Sequence, residues 1–304
     1  MNERPIPREL LPYQDEPPQL PSGSFGKQAE LRLRLERRDD RSILAEMERR
    51  APLLVQKALY CDEGMPELPV VFIITNSGGI LQGDRYAIEV VMGPGACGHL
   101  TTQAATKIHE MDANHATQTQ EIELDAGAYL EYLPEPVIPF ARSRFLTTTR
   151  IRIAPTATLL YAETLMGGRK YYQDGELFRY DLFSSTVAAD RPDGRSLFVE
   201  KFRIEPSRAA VARLGVMHDF DIFGNVLLLT PPPIAEAVAP EVANAWSKDE
   251  GWAAGLGRLP NEAGLVYKVL GRETEVVRAK IREFWSLVRP KAVGRSVPPE
   301  FAWR

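Results

Sequence analysis

The feature that most constrains this chain is a hydrophobic alternation of period two. From residue 29 to residue 36, leucines stand at every second position (Leu31, Leu33 and Leu35), and residues 144–153 alternate in the same way. Period two is the repeat of a half-buried strand. Residues 70–74 form a continuous, mostly β-branched run, which is typical of a strand buried on both faces. About a dozen such segments lie between residues 29 and 229, so the chain is predicted to be mainly β.

A weak internal repeat accompanies these strands. Three segments begin with a turn and an alanine and continue as a strand, and their alanines are Ala96, Ala128 and Ala157. The spacings of 32 and 29 residues suggest stacked coils of a β-superhelix, although three imperfect copies also arise by chance. We expect a β-superhelix-like body of many short strands.

Helical spacing is clearest near the C-terminus. Residues 273–289 carry apolar side chains at i, i+4 and i+7 positions and are followed by Pro290, so they predict a helix that ends there. Residues 240–254 are a weaker helical candidate. Residues 1–22 contain six prolines and predict a flexible N-terminal arm. Since no linker is visible beyond it, residues 23–304 are expected to form a single β-rich domain with a small C-terminal helical part.

Composition limits the classes of partner and the compartment that this chain can have. The chain has 37 Lys and Arg residues against 41 Asp and Glu residues, a net charge of −4. This charge, without a basic stripe, argues against a nucleic-acid partner. Two cysteines, Cys61 and Cys97, are too few for a disulfide scaffold or a thiolate zinc site. Every apolar run is too short to span a bilayer, and residues 1–21 lack the apolar run of a signal peptide. We expect a cytoplasmic protein with no membrane partner.

Familiar enzymatic motifs fail on spacing. The stretch around Gly23 has Pro21 and Gln28 where a phosphate loop needs Gly and Ser or Thr. His109 and His115 are six residues apart, whereas a zincin helix needs two histidines at i and i+4.

One ordered set of motifs is more specific. Residues 74–84 read ITNSGGILQGD, a buried strand followed by Gly78, Gly79, Gly83 and Asp84. LTTQAATK at 100–107, YLPEPVIPF at 132–140, ETLMGGR at 163–169, GELF at 175–178 and FWSLVRP at 284–290 follow in that order. In this order and spacing, the set closely resembles the urease accessory protein UreD family, called UreH in some organisms. The tail at 298–304 matches the family ending only loosely.

The resemblance implies a scaffold rather than an enzyme. Its expected partners are the urease apoprotein and the accessory proteins UreF and UreG. GTP hydrolysis by UreG supports the insertion of nickel into the urease active site. The family fold is a β-rich superhelix with little helix. No permanently bound cofactor is expected, only nickel in transit.

The resemblance also suggests candidate metal-passage residues. They are acidic and stand in Gly- or Pro-rich motifs: Asp84, Glu135, Glu163 and Glu176. Separate carboxylates bind a divalent ion weakly enough to release it. Two alternatives stay open: Asp84 could cap its own turn, and Glu163 and Glu176 flank Arg169 and could pair with it. Glu135 lies between two prolines in an apolar stretch, where a charge needs a partner or water.

Two further sets of residues have structural alternatives. Gly78, Gly79 and Gly83 are expected to supply positive φ or a close approach of strands. Phe284 and Trp285 are predicted to contact UreF from the C-terminal helix, unless that face packs against the β-body.

The rival hypothesis is a carboxylate-dependent hydrolase in which Asp84 and Glu135 act as acid and base. A glycosidase needs two carboxyl groups about 5–9 Å apart beside a sugar groove, which aromatic side chains usually line. All four tryptophans lie beyond residue 245, so we rank this hypothesis lower.

Overall fold

Two face-to-face β-sheets and a layer of helices build the fold, in a computed structural model that describes residues 5–15 and 28–299. The strands are, in chain order, β1 (Gln28–Arg38), β2 (Arg41–Arg50), β3 (Leu53–Leu54), β4 (Val70–Thr75), β5 (Arg85–Met92), β6 (Cys97–Thr102), β7 (Thr106–Ile108), β8 (Ala116–Leu124), β9 (Tyr129–Tyr132), β10 (Val137–Pro139), β11 (Arg144–Ile153), β12 (Thr158–Met166), β13 (Gly168–Arg169), β14 (Glu176–Leu177), β15 (Leu182–Asp190), β16 (Ser196–Ile204), β17 (Ile222–Leu229), β18 (Ala245–Ser247), β19 (Trp252–Arg258) and β20 (Gly264–Gly271). The helices are α1 (Pro232–Val238) and α2 (Thr274–Val293), with 3₁₀ turns at Arg8–Tyr13, Ala239–Glu241 and Pro260–Glu262.

The strands divide into a seven-stranded and an eleven-stranded sheet. The first has the spatial order β16-β15-β11-β8-β5-β1-β2. The second follows the path β18-β19-β20-β17-β12-β9-β6-β4-β3, and β7 and β10 attach beside β12. β13 and β14 form a separate hairpin. The mainly β prediction is confirmed.

The middle of the chain winds between the two sheets as a superhelix. β5, β8, β11 and β15 are parallel neighbours in the first sheet, and β4, β6, β9 and β12 are parallel neighbours in the second. Cys97 aligns with Tyr129, and Tyr129 with Thr158, which gives steps of 32 and 29 residues. The alanines of the sequence repeat each stand one residue before these positions, so the repeat corresponds to stacked coils.

Two cores follow from the alternation. Leu31, Leu33 and Leu35 are buried, and they belong to an apolar core that both sheets share. A second core lies between the outer face of the eleven-stranded sheet and the helices. Each fully buried leucine contributes about 1.5–3 kcal/mol, so burial of these side chains stabilises the packing of the two sheets.

The C-terminal region departs from the prediction in two ways. α2 runs past Pro290 to Val293 and ends at Gly294, whose φ is 68°. A proline this close to the end breaks few hydrogen bonds, and the left-handed glycine sets the stop instead. Residues 240–254 do not form an α-helix: they contain the end of a 3₁₀ turn, strand β18 and the start of β19. β18 pairs with β19, and β19 pairs with β20, and this antiparallel pairing satisfies their backbone groups.

The N-terminal arm is ordered in part. Within it, Leu10 is buried against Leu146 and Leu182. The carboxylate of Glu9 pairs with Lys201 at 2.5 Å. Residues 5–15 of the expected flexible arm therefore pack against the seven-stranded sheet. The rest of that arm, and residues 300–304 of the tail, lie outside the described residues. Among the described residues, no helix is long and apolar enough to cross a membrane.

Candidate functional site

A cavity with several polar side chains in its lining lies inside the apolar core between the two sheets. Its volume is about 80 Å³, which is room for several water molecules. Tyr86, Ile88 and Phe145 line it from the seven-stranded sheet, and the second sheet closes the other side. The polar side chains of its lining are those of Thr75, Thr102, Thr106, Gln118, Gln120, Glu135, Thr147, Glu163 and Thr164, beside three tyrosines.

Glu163 is one of two carboxylates in this lining. It stands on β12 between Tyr161 and Leu165, and alternation turns these three side chains towards the inter-sheet core. Its Oε1 accepts hydrogen bonds from Ser185 Oγ at 2.8 Å and from Tyr161 OH at 3.3 Å. Its Oε2 is buried without a hydrogen-bond partner among the described residues. Burial raises the pKa of Glu163 to about 7, against the lowering effect of these bonds.

This pKa predicts a difference in stability that depends on pH. Glu163→Gln is expected to stabilise the protein by up to about 3 kcal/mol at about pH 8, and to have little effect at about pH 5. In the folded protein the carboxyl keeps its proton up to about pH 7, whereas the reference value is 4.5. Its stabilising contribution is therefore present below 4.5 and lost as the pH rises through 7. Glutamine imitates the neutral carboxyl at every pH.

Urea unfolding of both proteins at the two pH values measures this difference. Glu121→Gln is the control, since Glu121 lies on the outer face of β8 with 56% of its side chain exposed. An equal effect of Glu163→Gln at both pH values would contradict the raised pKa.

A buried hydrogen-bond chain fixes the cavity wall beside Glu163. Tyr132 OH donates to Gln120 Oε1 at 2.7 Å. Gln120 Nε2 donates to Thr149 Oγ1 at 3.0 Å and to Tyr161 OH at 3.1 Å. A satisfied buried network of this kind rigidifies its surroundings, so the cavity has fixed polar walls.

Glu135 is the second carboxylate of the lining. It lies in the turn between β9 and β10, and its backbone N–H donates to Thr102 Oγ1 at 2.9 Å. Its Oε2 accepts a hydrogen bond of 2.5 Å from Arg278 on α2. The charge that the sequence places between two prolines thus has a partner, and this partner comes from a distant helix.

Of the four carboxylates predicted for a metal passage, Asp84 and Glu176 are not among the residues that line this cavity. Asp84 is buried, and its Oδ2 accepts the N–H of Leu81 at 2.9 Å, so it caps its own turn. Glu176 forms a bidentate salt bridge with Arg169 and accepts a hydrogen bond of 3.1 Å from the backbone N–H of Ala141. The Arg169 guanidinium lowers the pKa of Glu176.

The three glycines of the loop after β4 all adopt positive φ. The angles are 75° at Gly78, 153° at Gly79 and 76° at Gly83. A Cβ at Gly79 would lie 2.7 Å from the carbonyl oxygen of Lys107 and equally close to the His109 ring. Backbone conformation and close approach to β7 therefore both require glycine here.

Phe284 and Trp285, which the sequence predicts to contact UreF unless their face packs against the β-body, are both buried. Each is 2% accessible. Phe284 stacks on Tyr267 at 4.8 Å, and Trp285 Nε1 donates to Glu131 at 2.6 Å. The apolar face of α2 packs against the eleven-stranded sheet, because that face would otherwise expose a large apolar area to water.

Sequence reasoning missed a buried charged cluster beneath α2. Arg289 is fully buried and contacts Glu131 Oε1 at 2.7 Å and Oε2 at 2.9 Å. It also pairs with Asp62, and His99 Nδ1 lies 2.8 Å from Glu131 Oε2. Burial by itself raises the pKa of Glu131, but the hydrogen bonds from Arg289 and His99 outweigh it and lower the pKa to about 2. We call Asp62, His99, Glu131 and Arg289 the buried cluster.

The cavity offers oxygen ligands but not a tight metal site. In the part of the chain that the structure describes, no group of three or more His, Cys, Asp and Glu side chains is arranged to hold a metal ion. Glu135 and Glu163 are single carboxylates among hydroxyl and amide groups. Such ligands suit weak, exchanging contacts with a divalent ion better than storage.

Comparison with known proteins gives a match over nearly the whole chain. Residues 27–304 match the family described as UreD urease accessory protein. The chain is 58% identical to "Urease accessory protein UreD 2" of Brucella suis biovar 1, over 97% of this chain and 98% of the relative. It is 50% identical to "Urease accessory protein UreD" of Yersinia enterocolitica and 49% identical to that of Photorhabdus laumondii, over 97% of this chain and 92% of each relative.

Proposed function

The chain belongs to the UreD family of urease accessory proteins, and we propose that it binds the urease apoprotein and acts with UreF and UreG in nickel insertion. Members of this family are maturation factors and not enzymes. In this proposal UreG hydrolyses GTP, and the present chain is the cytoplasmic scaffold that holds the partners together. The observation that carries the proposal is the identity of 58% across 97% of the chain.

The fold and its polar groups are compatible with this role. The rival hydrolase needs Asp84 and Glu135 at one groove, but only Glu135 lines the cavity, and Asp84 is engaged in its own turn. A scaffold needs rigid surfaces rather than a catalytic pair. The two apolar cores and the buried cluster supply that rigidity.

We further propose that the inter-sheet cavity is part of a nickel passage. Its support is that Glu135 and Glu163 both line a cavity inside the core, where a carboxylate is costly unless it is paired, protonated or solvated. Nickel here is cargo: each carboxylate oxygen would bind it briefly and release it. Asp84 and Glu176 belong to the supporting structure in this proposal.

Complementation tests the function. A urease-positive strain that lacks its own UreD is expected to recover urease activity and urease-bound nickel when it expresses this chain. Tagged chain is expected to retain UreF, UreG and urease apoprotein through purification. Unrestored nickel loading in a deletion strain that expresses the chain in soluble form, or a soluble chain that retains none of the three partners, would overturn the proposal.

A further inference from the structure

Three concave regions lie in series from the interior to the surface at α2. Pro134, Ala162 and Thr164 line both the inter-sheet cavity and a small cleft of about 30 Å³. The cleft shares Leu133, Arg278 and Ile281 with a surface groove along α2. The shared lining residues place the cleft between the cavity and the groove.

The ion pair between Glu135 and Arg278 joins the cavity lining to the lining of the cleft and the groove. Glu135 lines the cavity, and Arg278 lines both the cleft and the groove. The exposed fraction is 19% for the Glu135 side chain and 34% for that of Arg278. In this position the guanidinium neutralises the carboxylate and presents a positive charge to any cation that arrives from the groove.

Arg278 has a second acceptor within reach. Glu275 stands three residues earlier on α2, is exposed and lines the same groove. Residues at i and i+3 on a helix are neighbours, so the guanidinium can pair with Glu275 after a rotamer change. That move takes its positive charge out of the cleft and leaves Glu135 free to attract a cation.

We propose that Arg278 controls the entry of divalent cations into the inter-sheet cavity, by alternating between Glu135 and Glu275. Paired with Glu135, it closes the cleft; paired with Glu275, it opens the cleft towards the α2 groove. As a step of nickel transfer the inference rests on the proposed function, but access to the cavity is a property of the isolated chain. Arg278 is thus a residue that determines access and not a metal ligand.

A cysteine in the cavity measures this access. Thr147 lines the cavity and is 5% accessible. Its Oγ1 has no hydrogen-bond partner in the described residues, so Thr147→Cys removes no hydrogen bond seen there. Cys61 is exposed and is replaced by serine, while Cys97 is buried and stays. The probe is Cd²⁺, and the ultraviolet absorption of the cadmium thiolate is followed by stopped flow. The same protein without Thr147→Cys gives the background.

Four substitutions are then compared in this background. Arg278→Gln is expected to speed thiolate formation about tenfold, because it removes the positive charge from the cleft. Glu275→Gln is expected to slow thiolate formation, because it removes the partner of Arg278 in the open state. Arg278→Lys keeps the charge and is expected to stay close to the parent rate. Arg282→Gln, which removes the same charge one turn further along the groove, is the matched control and is expected to change the rate less than about twofold.

Two results would overturn the inference. One is an unchanged rate in folded Arg278→Gln; the other is equal acceleration by Arg278→Gln and Arg278→Lys, which would indicate a loss of local structure instead of charge. The outcome is separable from the proposed function. Faster cadmium entry in Arg278→Gln, together with full nickel loading of urease by the Glu135→Gln, Glu163→Gln variant, would refute the passage and leave access control standing. An unchanged cadmium rate in Arg278→Gln, together with loss of nickel loading in Glu163→Gln, would refute access control and support the passage.

Discussion

Replacing Arg289 by methionine is expected to lower the free energy of unfolding by about 3–5 kcal/mol. The guanidinium neutralises Glu131 and Asp62 inside a region that excludes water, and all three side chains are fully buried. Methionine fills a similar volume but leaves two carboxylates without their cation. The cost is the desolvation of those charges, which the remaining bonds of Glu131 to Tyr129, Trp285 and His99 offset only in part.

Urea unfolding at neutral pH measures the effect, with Arg282→Met on the same helix as the control. Arg282 bonds only the carbonyl oxygens of Pro298 and Pro299 in the hydrogen bonds that the described residues show, so its loss should cost far less. The double variant Glu131→Leu, Arg289→Met is expected to regain part of the loss, because it removes a charge together with its partner. A loss below about 1 kcal/mol for Arg289→Met would mean that water reaches the cluster.

The pKa of Glu131 gives the pH window of this contribution. Since Arg289 and His99 lower that pKa from 4.5 to about 2, the stabilisation is present above 4.5 and is lost as the pH falls towards 2. Glu163 behaves in the opposite sense and loses its contribution as the pH rises through about 7. The two buried carboxylates differ because Glu131 has the Arg289 cation beside it, whereas Glu163 accepts its hydrogen bonds from the neutral hydroxyl groups of Ser185 and Tyr161.

The fold was predictable where the information is local. Alternation identified β1 and β11, and the spacing of Ala96, Ala128 and Ala157 anticipated coils that stack with the same steps. Helical spacing identified α2. The error at residues 240–254 has a tertiary cause, since the antiparallel pairing of β19 with β20 overrides weak local helical preference.

The site was less predictable because its contacts join distant parts of the chain. Glu135 and Arg278 are 143 residues apart, and Glu131 and Arg289 are 158 apart. Nothing in a motif distinguishes Asp84, which caps a turn, from Glu163, which faces a cavity. That difference depends on which side of a strand or turn meets the second sheet. One signal was available: an arginine at position 289, within the apolar face of α2, indicates a buried acidic partner.

The double substitution Glu135→Gln, Glu163→Gln is expected to lower urease-bound nickel by at least about tenfold in the complemented strain. Loss of a unit charge a few Å from a divalent ion costs on the order of several kcal/mol at an effective dielectric constant of about 20. Glutamine keeps the shape of the cavity and an oxygen ligand, so the chain should still fold and retain its partners. Nickel per urease, measured by mass spectrometry of metals, and recovery of UreF and UreG with the tagged chain are the two readouts.

Carboxylates outside the cavity provide the control that distinguishes a nickel passage from a purely scaffolding role. Glu121→Gln removes a charge from the outer face of β8, and Asp84→Asn alters a buried carboxylate that caps a turn without lining the cavity. If the cavity carries nickel, only the Glu135 and Glu163 substitutions reduce loading in chains that remain assembled. Because Ni²⁺ must displace a proton from Glu163, whose pKa is about 7, transfer in vitro should also slow as the pH falls below that value. Full nickel loading by the double variant would show that nickel reaches urease by another route, with this chain contributing only its surfaces.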